Sequence, residues 1–226
     1  MTTAGVVLSG CGFLDGAEIQ ESVFTLYHLD RAGVETVCVA PDVPQMHVVD
    51  HLTGRPVSGS RNVLQEAARI ARGKIRDLAG VRADELDALL LPGGFGAAKN
   101  LSDFATAGAD CNVHPALATL VREVAAAGKP IGAICISPAV IAAIFRGTDL
   151  QPTLTIGDDA ATAAALEAMG ARHQSCPVTG FVLDEGHCIA TTPAYMYDAR
   201  PSEVFEGIGK LVESVLSLAA KRSGVA

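Results

Sequence analysis

The stretch that most constrains the fold is Gly132-Ala133-Ile134-Cys135-Ile136-Ser137-Pro138-Ala139. It reads as a short buried strand, a sharp turn carrying a thiol, and the start of a helix. Pro138 gives up no hydrogen bond at a first helical position, and Ser137 before it suits an N-cap. A cysteine held between a strand end and a helix N-terminus meets the positive end of the helix dipole and free backbone N–H groups, which favour thiolate over thiol. Cys135 is therefore expected to be a nucleophile at neutral pH. The competing role is a small buried hydrophobe, which is what most free cysteines are.

A second stretch, Leu89-Leu90-Leu91-Pro92-Gly93-Gly94-Phe95-Gly96, reads as another buried strand that ends in a glycine turn. Glycine lets the backbone approach a ligand oxygen closely, so Gly93 and Gly94 are candidate site residues. The first strand, Gly5 to Ser9, leads into Gly10-Cys11-Gly12, where a doubly wound sheet places a functional loop. A dinucleotide site is disfavoured there, because the third glycine of Gly-x-Gly-x-x-Gly is missing and no acidic strand end follows about 20 residues on. Asp15 or Gly16 is expected to open a helix that runs to about Arg31-Ala32-Gly33. Glu18 and Glu21 fall in its first turns, three apart and near one face.

The chain has 226 residues, of which 49% are apolar and only 4% aromatic. With no linker-like stretch, this fits a single α/β domain over 1–226, its strands buried on both faces by Ala-rich helices. A formal charge of −8 argues against nucleic acid or an anionic membrane as partner. Met1-Thr2-Thr3-Ala4 carries no basic leader, and no apolar run approaches the roughly 18 residues of a membrane span. A cytoplasmic protein is expected. The six cysteines, Cys11, Cys38, Cys111, Cys135, Cys176 and Cys188, include no Cys-x-x-Cys pair, so free thiols and no metal site are expected.

Further on, Gln45 to Val57 reads as a hairpin around Leu52-Thr53-Gly54. His47 and His51 would share one face of a strand with Asp50 turned away, which suits surface histidines better than metal ligands. Lys99 and Asn100 follow the glycine turn and are candidates for a pocket rim, with solvent-facing or capping roles equally open. Thr153 to Gly157 is a strand, Asp159 caps an Ala-rich helix, and Phe181 to Thr192 is a hairpin with His187 facing solvent. A last helix, from about Pro201 to Lys221, packs its Val204, Ile208, Leu211 and Val215 stripe on the sheet.

The Pro92-Gly93-Gly94 turn and the Cys135 elbow together resemble the class I glutamine amidotransferase-like superfamily, including its ThiJ/PfpI branch. Leu8-Ser9-Gly10-Cys11-Gly12, Asp15-Gly16-Ala17-Glu18-Ile19, His51-Leu52-Thr53-Gly54, Pro92 to Leu101 and Thr191-Thr192-Pro193-Ala194-Tyr195-Met196 make the chain similar to the ElbB family within it, the isoprenoid-biosynthesis glyoxalase-like proteins also called sigma cross-reacting protein. The resemblance implies a flavodoxin-like three-layer sandwich, with a mostly parallel central sheet and a nucleophile elbow, and a homodimer. It implies an oxyanion hole made by the amides of Gly94 and Ile136. It also implies a first-helix glutamate bonded to the sulfur, which is Glu21, or Glu18 one turn nearer the loop. Cys11, Gly93 and Asn100 are expected to line the pocket.

The activity implied is cofactor-independent glyoxalase chemistry, converting a small 2-oxoaldehyde, glyoxal or methylglyoxal, to the 2-hydroxy acid. The alternative is a thiol redox sensor or regulatory binding protein. A glutaminase is disfavoured, because Thr192-Pro193-Ala194 stands where the amidotransferases carry His-Pro-Glu. Many superfamily members follow the cysteine with histidine, and here Ile136 follows it.

Overall fold

Strand and helix formers alternate along the chain, and the computed structural model, which describes residues 2–222 and 224, follows them. In chain order the elements are β1 (Thr3–Val7), α1 (Ile19–Arg31), β2 (Glu35–Ala40), the hairpin β3 (Val49–Asp50) and β4 (Arg55–Pro56), α2 (Val63–Ile70), β5 (Ile75–Asp77), β6 (Ala88–Leu91), α3 (Phe95–Lys99), α4 (Phe104–Ala107), α5 (Pro115–Ala126), β7 (Ile131–Ile134), α6 (Ser137–Phe145), β8 (Thr153–Leu154), α7 (Ala160–Ala168), β9 (Arg172–His173), β10 (Val182–Asp184), β11 (Ile189–Thr192) and α8 (Pro201–Arg222). Met1, part of the N-terminal tetrapeptide read above, lies outside the described residues. Among the described residues no helix is long and apolar enough to cross a membrane.

The central sheet runs β10-β11-β7-β6-β1-β2-β5. Every neighbouring pair is parallel except the β10–β11 hairpin at one edge. Strand periodicity sends Ala4, Val6, Leu8 and Leu90 to one face, where they meet Leu29 of α1, Val63 and Ala67 of α2, and Val204, Ile208, Leu211 and Val215 of α8. Val7, Leu89, Leu91 and Ile131 go to the other, against Leu117 and Val121 of α5, Val140 of α6 and Leu166 of α7. The result is a flavodoxin-like three-layer sandwich. Each fully buried leucine contributes about 1.5–3 kcal/mol through removal from water.

Three local expectations change. Helix α1 starts at Ile19 with Glu18 as its cap, later than Asp15 or Gly16. Asp15 cannot cap it, because its Oδ2 accepts the Val49 N–H at 2.7 Å and so ties the first loop to the β3–β4 hairpin. Ser137 is inside α6 and caps nothing; its hydroxyl donates to the Pro92 carbonyl at 2.8 Å. His187 does not simply face solvent, since its Nδ1 lies 2.9 Å from Asp184 Oδ2. Edge strand β5 is too short and polar for its sequence to announce, with only Ile75 apolar.

Candidate active site

The parallel order places the C-terminal ends of β1, β6, β7 and β11 side by side, and the loops that leave them build one site. Chain direction reverses sharply after β7, with Cys135 at φ 61°, a left-handed conformation that costs a non-glycine residue about 1–3 kcal/mol. Neighbouring contacts hold it there: the Cys135 N–H donates to the Thr192 carbonyl at 2.9 Å, and the Ser137–Pro92 bond clamps the elbow to the glycine turn after β6. The amides of Gly94 and Ile136 lie near enough to the Cys135 sulfur to favour its charged form. Gly94 reaches it at φ 92°, and a Cβ on it would lie 2.4 Å from the Glu18 nitrogen.

Glu21 is fully buried against the sulfur. Its Oε2 accepts the Gly93 N–H at 2.9 Å and its Oε1 the Tyr195 N–H at 3.2 Å. Burial, and then the charge of Glu18, push its pKa up to about 8, against the pull of the Tyr195 and Gly93 amides. Cys135 is pushed well above the usual thiol range, by burial first and the Glu21 carboxylate second, and the Gly94 and Ile136 amides only partly offset this. The expected thiolate at neutral pH is therefore corrected. A helix terminus contributes about 0.3–2 kcal/mol, and desolvation of a fully buried charge outweighs it. Cys135 and Glu21 share their protons as a pair whose first proton leaves near the Glu21 value of about 8.

This titration has a signed consequence. The folded-state pKa of Glu21 lies above its unfolded value of 4.5, so the folded chain holds the extra proton and gains stability at low pH. That contribution is complete below about pH 4.5 and is lost as pH rises through about 8. Thermal unfolding followed from pH 5 to 9 should show the melting temperature fall across this window. Glu21→Gln, which cannot ionise, should flatten the fall; an unchanged slope would assign it to other groups.

Glu18 takes a different position. It caps α1 by accepting the Glu21 N–H at 2.6 Å, stays half-buried, and lines the cavity in front of the sulfur. Burial raises its pKa too. The structure thus separates two glutamates that the sequence left as alternatives: Glu21 meets sulfur and Glu18 meets the cavity. Tyr195 was missed in the sequence. Ala194, at φ 43°, turns the Tyr195 N–H onto Glu21 just where the amidotransferase-like His-Pro-Glu would continue. The left-handed Ala194 has no sequence signature, since glycine or asparagine normally marks such a position. Thr192, at the position of the missing histidine, is buried and donates to the Gly180 carbonyl at 2.7 Å.

The cavity holds about 430 Å³, with Cys135 on its wall beside Ile136, Phe95, Phe104 and Met196. Three residues expected to line it do not. Cys11 feels the charges of Glu66 and Arg69 of α2 and is not on the cavity wall; Gly16 packs so tightly on its backbone that a Cβ on Gly16 would lie 2.3 Å from the Cys11 nitrogen. Gly93 is wedged behind the sulfur. Asn100 is buried below the loops, donating to the Ser9 and Asp15 carbonyls at 2.8 and 2.9 Å and accepting the Met46 N–H at 3.0 Å. Asn100→Ala should therefore lower stability by about 1–3 kcal/mol per orphaned partner, read by urea unfolding, with little direct effect on ligand binding. Among the described residues no cluster of three or more His, Cys, Asp or Glu side chains is arranged to hold a metal ion. His51 lies 3.8 Å from Asp15 and edge-on to Phe13.

An α/β sandwich with a cysteine elbow, two amides aimed at the sulfur and a buried glutamic acid beside it defines a class of thiol-centred proteins. The chain belongs to the DJ-1/PfpI family, which it matches over residues 11–153. It is 47% identical to the human glutamine amidotransferase-like class 1 domain-containing protein 3, mitochondrial, over 96% of this chain and 83% of that one. It is 33% identical to the ES1 protein, mitochondrial, of Danio rerio, over 97% of this chain and 87% of that one. A crystal structure of an isoprenoid biosynthesis protein with an amidotransferase-like domain, from Ehrlichia chaffeensis, superposes with a TM-score of 0.91 at 38% identity, covering 96% of this chain and 99% of the other. The expected cytoplasmic location is overturned by these comparisons: the human and Danio rerio relatives are mitochondrial proteins.

Proposed function

We propose that the chain is a cofactor-independent glyoxalase of the ElbB type, converting glyoxal or methylglyoxal to the 2-hydroxy acid. The observation that carries this reading is the sulfur itself, set between two amide donors and an uncharged carboxyl on the wall of a cavity. Cys135 adds to the aldehyde carbon from the small fraction of the pair that has lost one proton to solvent, as thiolate beside protonated Glu21, and the carbonyl electron pair moves to oxygen. The Gly94 and Ile136 amides hold that oxyanion, which then takes the proton of the Cys135–Glu21 pair to complete the hemithioacetal.

Glu18, the carboxyl facing the cavity, removes the proton from the hemithioacetal carbon. An enediol forms, and Glu18 returns the proton to the neighbouring carbon. The product of this shift is a 2-hydroxy thioester on Cys135, which water hydrolyses with sulfur as the leaving group. Oxoaldehyde plus water becomes hydroxy acid, so no external oxidant or reductant enters.

The test is formation of lactate from methylglyoxal, and glycolate from glyoxal, by the purified protein in metal-free buffer. No hydroxy acid above the spontaneous rate would overturn the reading. A thiol sensor is the second reading, favoured by the same donors, which would stabilise a sulfenate on Cys135. It predicts selective oxidation of Cys135 by dilute peroxide in a protein that turns over neither aldehyde.

A further inference from the structure

The cavity at Cys135 adjoins a second one of about 570 Å³. The two share Phe13, Glu18, Tyr195 and Met196, and the cleft runs on past Tyr197 to Asp198. Spaces of 300–1,000 Å³ accommodate drug-sized ligands, so glyoxal and methylglyoxal fill only the end nearest the sulfur. The rest of the cleft has a definite chemistry. Rings form its walls, with Phe95 and Phe104 at the thiol end and Tyr195 and Tyr197 further out.

Three carboxyl groups, Glu18, Asp159 and Asp198, line it, and among the described residues no Lys, Arg or His does. Asp159 is held in its charged form by the Thr162 hydroxyl and amide at the start of α7. Lys99 stands against one wall: its Nζ donates to the Leu14 carbonyl at 2.8 Å and sits 5.2 Å from the centre of the Phe95 ring, which leaves Tyr195, Tyr197 and Phe104 as the free rings. An anion entering this cleft would meet three carboxyl groups, against the single Lys99 charge held over Phe95. Aromatic faces combined with carboxylates are the chemistry that recognises ammonium and guanidinium groups.

We propose that the cleft selects an organic cation, a carbonyl compound whose apolar body carries an ammonium or guanidinium group that the rings, Asp159 and Asp198 hold while the carbonyl meets Cys135. This inference rests on Cys135 as the reactive centre. It deepens the proposed function by naming the substrate's charge and size.

Charged thiol reagents test it without depending on turnover. Trimethylammonioethyl, methyl and sulfonatoethyl methanethiosulfonate each convert a thiolate to a mixed disulfide with loss of methanesulfinate. Their rates at Cys135 are followed by mass spectrometry of its peptide and normalised to β-mercaptoethanol. Cys188, on the β10–β11 hairpin outside the cleft, reports in the same digest any preference due to the chain's overall negative charge.

The cationic reagent is expected to exceed the neutral one at Cys135, and the anionic one to lag it, each by at least about tenfold, the low end for a charged cleft. Combined Asp159→Asn and Asp198→Asn should cut the cation's advantage several-fold, and asparagine at 159 preserves the helix cap. Equal rates for cation and neutral reagent, or a preference matched at Cys188 or untouched by the double variant, would overturn the proposal and leave the thiol reading standing. No modification of Cys135 by any of the three would overturn both.

Discussion

Cys135→Ser is expected to abolish hydroxy acid formation from methylglyoxal, lowering kcat/KM by at least about 10³-fold, a conservative figure for removal of a covalent nucleophile. The hydroxyl has nearly the thiol's shape and tolerates the same left-handed backbone, so the elbow is kept. What is lost is chemical. A serine hydroxyl ionises far less readily than a thiol, and Glu21, accepting two backbone N–H groups and uncharged near neutral pH, is poorly placed to act as the strong base that serine would need. No histidine lines the cavity among the described residues. Product assay by chromatography, beside a thermal melt showing the variant folded, decides the matter. Turnover retained in a folded serine variant would remove Cys135 from the mechanism.

Gly93→Ala should damage the site severely although it adds only a single methyl group. The added Cβ would lie 2.4 Å from the Cys135 Cβ, 2.8 Å from Glu21 Oε2 and 2.8 Å from the Ile134 carbonyl oxygen. Two of these neighbours are a strained elbow residue and a strand carbonyl, and neither can rotate away. Overpacking of this kind costs about 1–3 kcal/mol or more. For a chain of this size each kcal/mol lowers the melting temperature by roughly 2–4 °C. The same displacement carries off the Gly93 N–H that holds Glu21 and the Gly94 N–H at the sulfur, so activity should fall further than stability. A variant melting with the wild type and retaining full turnover would mean that the turn moves freely, contrary to its packing.

The strands were largely legible, and of the expected helix caps one was. Glu35 to Ala40 forms β2 with the bounds its β-branched run implies, and Asp159 caps α7 by accepting the Thr162 N–H at 2.7 Å. The Pro-Gly-Gly turn and the cysteine elbow were legible as a pair, because adjacent parallel strands bring both to one sheet edge. The first loop was not. Cys11 and Asn100 carry site chemistry and lie close to the glycine turns in sequence, yet Cys11 sits by the charges of α2 and hydrogen bonds to Ser9, Asp15 and Met46 hold Asn100 below the loops.

By itself the sequence determined what local chemistry can determine: buried strands from apolar runs, the start of α7 from its capping aspartate, and a thiol placed where a strand turns into a helix. Only the tertiary structure decided how that thiol behaves. Glu21, Gly93, Cys135 and Tyr195 come from four distant parts of the chain, and their mutual distances exist only once the sheet has formed. Complete burial there favours uncharged Cys135 and Glu21 over the thiolate that the helix dipole alone would promote. Desolvation depends on everything that surrounds a group, whereas capping and strand patterning depend on its neighbours along the chain.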